Sequence, residues 1–102
     1  MIVRFDDPAR DEWHDAVLAY EDQREGLGVE FVAAVREAAR IIGDAPLRWP
    51  KYTRGTRAYR LDRFPYRIVY AVEHDEIAVI TVMHTKRSDD YWLKRRRSTG
   101  ES

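Results

Sequence analysis

The sequence predicts a single α+β domain, residues 1–102, in which a strand and a helical hairpin precede a three-stranded antiparallel meander. Three strand-like segments follow one another at 57–62, 66–73 and 77–84, and only three residues separate each from the next. Connections this short can join only antiparallel neighbours. Before them, two stretches carry apolar side chains at helical spacing. The predicted order of elements is therefore β-α-α-β-β-β.

The N-terminal segment is predicted to form a strand that leads directly into a helix. Residues 2–5, Ile-Val-Arg-Phe, are short, β-branched and alternating, as in a strand. Asp6-Asp7-Pro8 then favours a helix start, because a carboxylate can accept the free N–H groups and proline fits the first helical position. The apolar side chains that follow recur at helical steps and are Ala9, Trp13, Ala16, Val17 and Tyr20.

A second helix is predicted after a link at 23–28 that contains two glycines. Its apolar stripe consists of Leu27, Phe31, Val32, Val35, Ala38, Ala39 and Ile42. Gly43 is the predicted C-terminal cap. Two amphipathic helices joined by so short a link should pack as an antiparallel hairpin, with the sheet as their common partner.

The loop at 46–55 is rich in proline, aromatic and basic residues. Its two rings, Trp49 and Tyr52, alternate with cations and can stack on unpaired bases while the cations meet phosphates. In the alternative interpretation, which we favour, the two rings pin the loop to the edge of the domain.

The last strand of the meander is predicted to lie at the centre of the sheet, because it has no polar face. Strict alternation places Ile77, Val79, Thr81 and Met83 on one side and Ala78, Ile80 and Val82 on the other. The helices cover one side and leave the other to a tail or a partner. The tail contains Trp92, which is expected to pack on the sheet. A short helix is also predicted there, with Ser88 as its N-cap and the basic residues 94–97 near its C-terminus. The alternative for 94–97 is a solvated, frayed chain end.

Composition and charge narrow the range of functions. The chain has no cysteine and no apolar run near the roughly 20 residues that cross a bilayer, and its first residues, Met-Ile-Val-Arg, are not expected to form a signal peptide. We therefore expect a cytoplasmic protein with no membrane contact, no metal and no cofactor. Residues 1–50 carry 6 basic and 11 acidic side chains, whereas residues 51–102 carry 12 and 7. This division indicates a basic working face on an acidic scaffold, unless the exposed helices simply happen to be acidic.

Two blocks, together with the order of elements, resemble the RelE/ParE superfamily of toxins from type II toxin–antitoxin systems. They are Phe-Pro-Tyr-Arg-Ile-Val-Tyr at 64–70 and the pattern His84-x-x-Arg87-x-x-x-Tyr91-Trp92-x-x-Arg95. The resemblance covers nearly the whole chain and implies a cognate antitoxin that wraps the toxin and blocks its active surface. It also implies one of two activities. RelE-like members cut mRNA in the ribosomal A site, and ParE-like members poison DNA gyrase without chemistry on nucleic acid.

The candidate site residues follow from this resemblance. RNA cleavage by a neighbouring 2′-hydroxyl needs a proton acceptor, cations for the developing charge and a donor for the leaving oxygen. His84, Arg87 and Tyr91 are the predicted catalytic residues, and the Arg-Ser-Asp-Asp-Tyr block at 87–91 places Tyr91 on the catalytic tyrosine of RelE. The cations predicted to bind the nucleic acid or other target are Arg57, Arg60, Arg63, Arg67 and Lys86. We expect these groups and the imidazole to converge above the sheet.

One departure from RelE keeps both activities open. When 66–70 is matched to the Tyr-Arg-Leu-Val-Tyr block of RelE, Asp62 falls where RelE has a phosphate-binding arginine. Arg60 or Arg63 can replace it only after a local shift. Whether the protein is an enzyme therefore stays undecided between ribosome-dependent mRNA cleavage and gyrase inhibition. A non-toxic nucleic-acid-binding module and a degenerate toxin are further alternatives.

Overall fold

The structure, a computed structural model, describes residues 1–100, with side chains for residues 1–96. Within this part the elements follow the predicted order. They are β1 (Ile2–Phe5), α1 (Asp7–Gln23), α2 (Leu27–Asp44), β2 (Arg57–Arg60), β3 (Tyr66–Glu73), β4 (Glu76–His84) and α3 (Asp90–Gly100), with a 3-10 turn at Thr53–Gly55. The side chain of Arg97, one of the cations predicted near the C-terminus of the last helix, lies outside the described part.

The four strands of the described chain form one sheet in the order β1-β4-β3-β2. Strand β1 runs parallel to β4, and the other two pairs are antiparallel. Strand β4 therefore lies between β1 and β3, which confirms that the last strand is central. Strand β2 ends at Arg60 rather than at Asp62, because the chain turns there and buries Leu61 and Phe64 in the β2–β3 loop.

The helical hairpin covers one face of the sheet. Phe31 of α2 is fully buried, and its ring lies 5.0 Å from that of Tyr20 in α1 and 4.9 Å from that of Phe64. Close approach of the two helices requires glycine at position 28, where a Cβ atom would lie 2.8 Å from the Val17 carbonyl oxygen. On a scale of about 1.5–3 kcal/mol for each buried large apolar side chain, this face supplies much of the favourable free energy of folding.

Helix α2 does not stop at Gly43, so the predicted C-terminal cap is wrong. The helix continues to Asp44, and Ala45 occupies the cap position. Gly43 instead lets the chain start approach, since a Cβ atom there would lie 3.1 Å from the Met1 carbonyl oxygen. The terminal amine of Met1 donates a hydrogen bond to the Gly43 carbonyl at 3.0 Å.

A β-bulge interrupts the alternation of β4. Ile80 is the extra residue, opposite the junction of Val69 and Tyr70 in β3. Beyond it, Val82 packs with the hairpin core and Met83 with the cluster on the opposite face. The strict alternation predicted for this half of the strand is therefore wrong, because one inserted residue exchanges the two faces.

Helix α3 covers the second face of the sheet. Trp92 is fully buried there and packs in one cluster with Val69, Ile80 and Met83. Its indole N–H donates to the Asp89 carboxylate at 2.9 Å. The prediction that Trp92 packs on the sheet is confirmed. No helix in the described part of the chain is both long and apolar enough to span a bilayer.

The loop before β2 is pinned by its aromatic rings, as the favoured interpretation predicted. Trp49 meets Tyr59 edge to face at 4.8 Å between ring centroids. Tyr52 packs against the second cluster, and its hydroxyl lies 2.8 and 2.9 Å from the two carboxylate oxygens of Asp89, to which it donates. The two rings therefore serve the packing of the domain.

Candidate functional site

A tight turn follows β4 and carries three of the predicted site residues. The Nδ1 atom of His84 accepts a hydrogen bond from the Lys86 N–H at 3.1 Å, and the His84 carbonyl accepts one from the Arg87 N–H at 3.0 Å. The imidazole also contacts the ring of Tyr66 edge to face, at 5.3 Å between centroids. These contacts hold the imidazole on the hairpin side of the sheet, beside α1.

A cleft of about 270 Å³ lies between this turn and α1. His84 and Arg87 line one part of it, and the carboxylates of Glu12 and Asp15 belong to the α1 wall. The cleft therefore combines one cation and one imidazole with two acidic side chains. Such a mixture attracts a phosphate less than a purely basic cleft would.

Tyr91 lies in α3 and points into the structure. Its hydroxyl is 2.7 Å from that of Thr81, which is fully buried and donates to the Glu12 carboxylate at 2.8 Å. The Arg87 guanidinium lies over the Tyr91 ring, with Cζ 3.4 Å from the centroid. Burial raises the pKa of Tyr91, and the nearby Glu12 carboxylate also raises it. The phenol is thus enclosed by three side chains and holds its proton more tightly than a free tyrosine.

Glu12 is the central residue of this network and was not among the site residues predicted from the sequence. Its carboxylate accepts hydrogen bonds from the Thr81 hydroxyl and the Val82 N–H, and it pairs with Arg95 at 3.4 Å. The Glu12 side chain is only 16% exposed. The available signal was its position, since Glu12 follows buried Ala9 by three residues and precedes buried Ala16 by four. A carboxylate on the buried stripe of a helix needs partners inside the fold.

The predicted convergence of cations and imidazole above one surface is wrong. Arg60 and Arg67 are direct partners in the β2–β3 pair, and Arg67 is paired across β3 and β4 with Met83, whose side chain packs under α3. His84 is paired with Tyr66, which packs against the hairpin core. Neighbouring positions on a strand point to opposite faces. Arg60 and Arg67 therefore lie on one face of the sheet and His84 on the other.

Three of the predicted target-binding arginines already have partners within the fold. Arg57 donates to the carbonyl oxygens of Leu47 at 3.1 Å and Trp49 at 2.7 Å, and so holds the loop. Arg63 pairs with the Glu30 carboxylate of α2. Its hydrogen bond lowers the pKa of Glu30.

The third of these arginines, Arg67, donates to the Tyr52 hydroxyl at 3.0 Å, with its Cζ 5.4 Å from the centre of the Tyr52 ring. The two remaining predicted cations, Arg60 and Lys86, are exposed. Asp62, where the sequence departs from RelE, is also exposed, in the β2–β3 loop.

Comparison with known proteins finds a matching family and similar folds among solved structures, including the two that follow. The sequence model of a family described as "ParE toxin of type II toxin-antitoxin system, parDE" matches residues 3–89. The fold is similar to that of the chromosomal ParDE TA system from P. aeruginosa, with a TM-score of 0.74 and 16% identity over 82% of this chain and 95% of that one. It is also similar to the isolated E. coli RelE toxin, with a TM-score of 0.58 and 20% identity over 95% and 97% of the two chains. At these identities the two likenesses concern the fold, and they confirm the β-α-α-β-β-β prediction. Comparison with curated protein sequences finds no significant match.

Proposed function

The chain belongs to the ParE toxin family of type II toxin–antitoxin systems, and from this premise we propose that it inhibits DNA gyrase by binding, without a chemical step on nucleic acid. The predicted superfamily is confirmed, and with it the role of a toxin that has an antitoxin partner. The proposal concerns the molecule on which the toxin acts. The sequence left gyrase inhibition and mRNA cleavage open, and the arrangement of the candidate site favours gyrase inhibition.

The environment of the Tyr91 hydroxyl is the observation that carries this proposal. A general acid must reach the leaving oxygen with a proton to give. The Tyr91 hydroxyl instead lies 2.7 Å from Thr81, with the Arg87 guanidinium over the ring. Burial raises the pKa of this phenol, which makes it a weaker acid. Its position therefore suits a packing role better than proton transfer.

The arrangement of charge supports the same conclusion. A scissile phosphate must be held by cations on the side from which the catalytic groups act. Arg67 lies under α3 on one face of the sheet, whereas His84 lies beside α1 on the other. The cleft next to His84 also includes the carboxylate of Asp15, which opposes a phosphate. A polar or cationic side chain of a protein target fits this cleft better than an RNA backbone does.

Two assays on the purified toxin test the proposal. With gyrase and supercoiled DNA, it should cause accumulation of gyrase–DNA cleavage complexes. With translating ribosomes, a toeprint should show the message intact. Cleaved message and unaffected gyrase would overturn the proposal. Unimpaired growth of cells that express the toxin alone would instead favour the degenerate or non-toxic alternatives.

A further inference from the structure

The segment 45–61, which runs from the end of α2 to the end of β2, contains five cations and no carboxylate. The cations recur at every third position and are Arg48, Lys51, Arg54, Arg57 and Arg60. Several arginines elsewhere pair with carboxylates, as Arg4 does with Asp6 and Arg40 with Glu37. Within the described residues, none of the five cations of this segment forms an ion pair. Their charge is therefore left uncompensated by the fold.

Four of these cations face outward and one faces inward. Arg57 holds the loop through two backbone carbonyls, as described above. The other four side chains are exposed, and we refer to Arg48, Lys51, Arg54 and Arg60 as the basic strip. The aromatic rings between them pack within the domain: Trp49 meets Tyr59 and has the Arg48 guanidinium over its ring, and Tyr52 joins the cluster under α3. The outer surface of the segment is accordingly dominated by charge.

The turn at the outer end of the loop fixes Arg54 in an unusual backbone conformation. Arg54 has φ 58° and ψ 47°, in the left-handed region, and Gly55 follows with φ 74°. Thr56, which is 2% exposed, stabilises this turn through two hydrogen bonds. Its hydroxyl donates to the Thr53 carbonyl, and its own carbonyl accepts the Tyr52 N–H at 2.8 Å. A non-glycine residue held in this region is strained, and such strain concentrates at functional sites.

The exposed side chains of this segment suit duplex nucleic acid better than single-stranded nucleic acid or a protein. Single-stranded nucleic acid is bound largely by stacking of bases on aromatic rings, and Trp49 and Tyr52 are not presented for it. Protein partners are bound mainly through buried apolar anchors, and Leu47 is the one large apolar side chain of this segment that is mostly exposed. Phosphates of a duplex need only positioned cations.

We propose that the basic strip binds the phosphate backbone of duplex DNA without reading its sequence. The inference rests on the proposed function only for the source of the duplex, which would be the DNA held by gyrase. Contact with both gyrase and its DNA would localise the toxin where the two meet. The strip would then act separately from the cleft beside His84.

The test measures binding of the full chain to a short fluorescent DNA duplex and to one of its single strands, over a range of salt concentrations. The variant R48Q/K51Q/R54Q is compared with R10Q/R24Q/R40Q, which removes the same charge from exposed, ion-paired arginines of the helical hairpin. We expect the strip variant to bind the duplex roughly tenfold more weakly or worse than the control. The slope of log K against log salt should fall by about 2.7, at about 0.9 for each lost phosphate contact.

A second pair of variants distinguishes the effect of backbone strain on stability from the effect of the Arg54 side chain on duplex binding. His74 also has a positive φ, 53°, in the exposed β3–β4 turn. Both R54G and H74G should raise the Tm, because glycine relieves the left-handed conformation, but only R54G should weaken duplex binding.

Three results would overturn the inference. They are absence of duplex binding by the unaltered toxin, equal duplex binding by the strip variant and its control, and loss of antitoxin binding alone in the strip variant. The last would identify the strip as a protein-binding surface. Intact duplex binding by a toxin that leaves gyrase unaffected would defeat the proposed function and leave this inference standing.

Discussion

The hydroxyl of Tyr91 lies 2.7 Å from the hydroxyl of Thr81. Since Thr81 donates its own proton to Glu12 at 2.8 Å, the proton between the two hydroxyls belongs to Tyr91. One directed chain of hydrogen bonds thus connects α3, β4 and α1. The side chain that the sequence predicted as catalytic is the donor at its outer end.

Replacing Tyr91 with phenylalanine should leave growth inhibition nearly unchanged. The substitution removes the hydrogen bond to Thr81, so we expect the free energy of unfolding to fall by about 1 kcal/mol. Growth after induction of the variant and urea unfolding of the purified protein measure the two effects. T81V breaks the same bond from the other side and also removes the hydrogen bond from Thr81 to Glu12, so it should lose more stability than Y91F while the toxin stays active. Loss of toxicity in a folded Y91F protein, with T81V still toxic, would return the tyrosine to a catalytic role.

Glu12 should contribute more to stability than any exposed carboxylate of α1. Its partners include the buried Thr81 hydroxyl and Arg95, so E12Q should lower the free energy of unfolding by about 2 kcal/mol. Asp15, one turn along the same helix, is exposed, and D15N should change the free energy of unfolding by less than about 0.5 kcal/mol. Chemical denaturation of both variants gives the comparison. Equal losses would mean that the Glu12 network adds nothing to the fold.

Stability should fall at alkaline pH as buried tyrosines ionise. Burial raises the pKa of Tyr70 to about 12, and its hydroxyl donates to the Pro46 carbonyl at 2.5 Å. Because the folded-state pKa lies above the value near 10 of an unfolded tyrosine, this contribution is complete below about pH 10 and is lost as the pH rises towards 12. The urea midpoint should therefore hold between about pH 8 and 9 and decline above about pH 10, and that of Y70F should decline less steeply. Parallel curves for the two proteins would contradict the assignment.

Local periodicity accounts for the parts of the fold that the sequence predicted well. Each helical stripe of α1 and α2, and each short connection of the meander, can be recognised from residues that are close together in the sequence. The parallel pairing of β1 with β4 joins segments more than 70 residues apart, which no local pattern encodes. The bulge at Ile80 is likewise invisible in a strand that is apolar on both faces.

The candidate site was harder to predict, because its geometry depends on packing between distant elements. The burial of Trp92 fixes how α3 lies on the sheet and so places the nearby Tyr91 hydroxyl against Thr81. Sequence spacing found Arg57 and Arg63 as cations but carried no information on the carbonyls and the carboxylate that hold them. The roles assigned to His84, Arg87 and Lys86 stay predictions.

The central claim, that this toxin acts on gyrase by binding alone, is tested most directly by adding the purified toxin to gyrase with plasmid DNA and, in parallel, to ribosomes translating a defined message. We predict covalent gyrase–DNA complexes that accumulate with toxin, both for the unaltered chain and for Y91F, while the message stays full length. A message cut in the ribosomal A site by the unaltered chain and left whole by Y91F, with gyrase unaffected, would contradict the account.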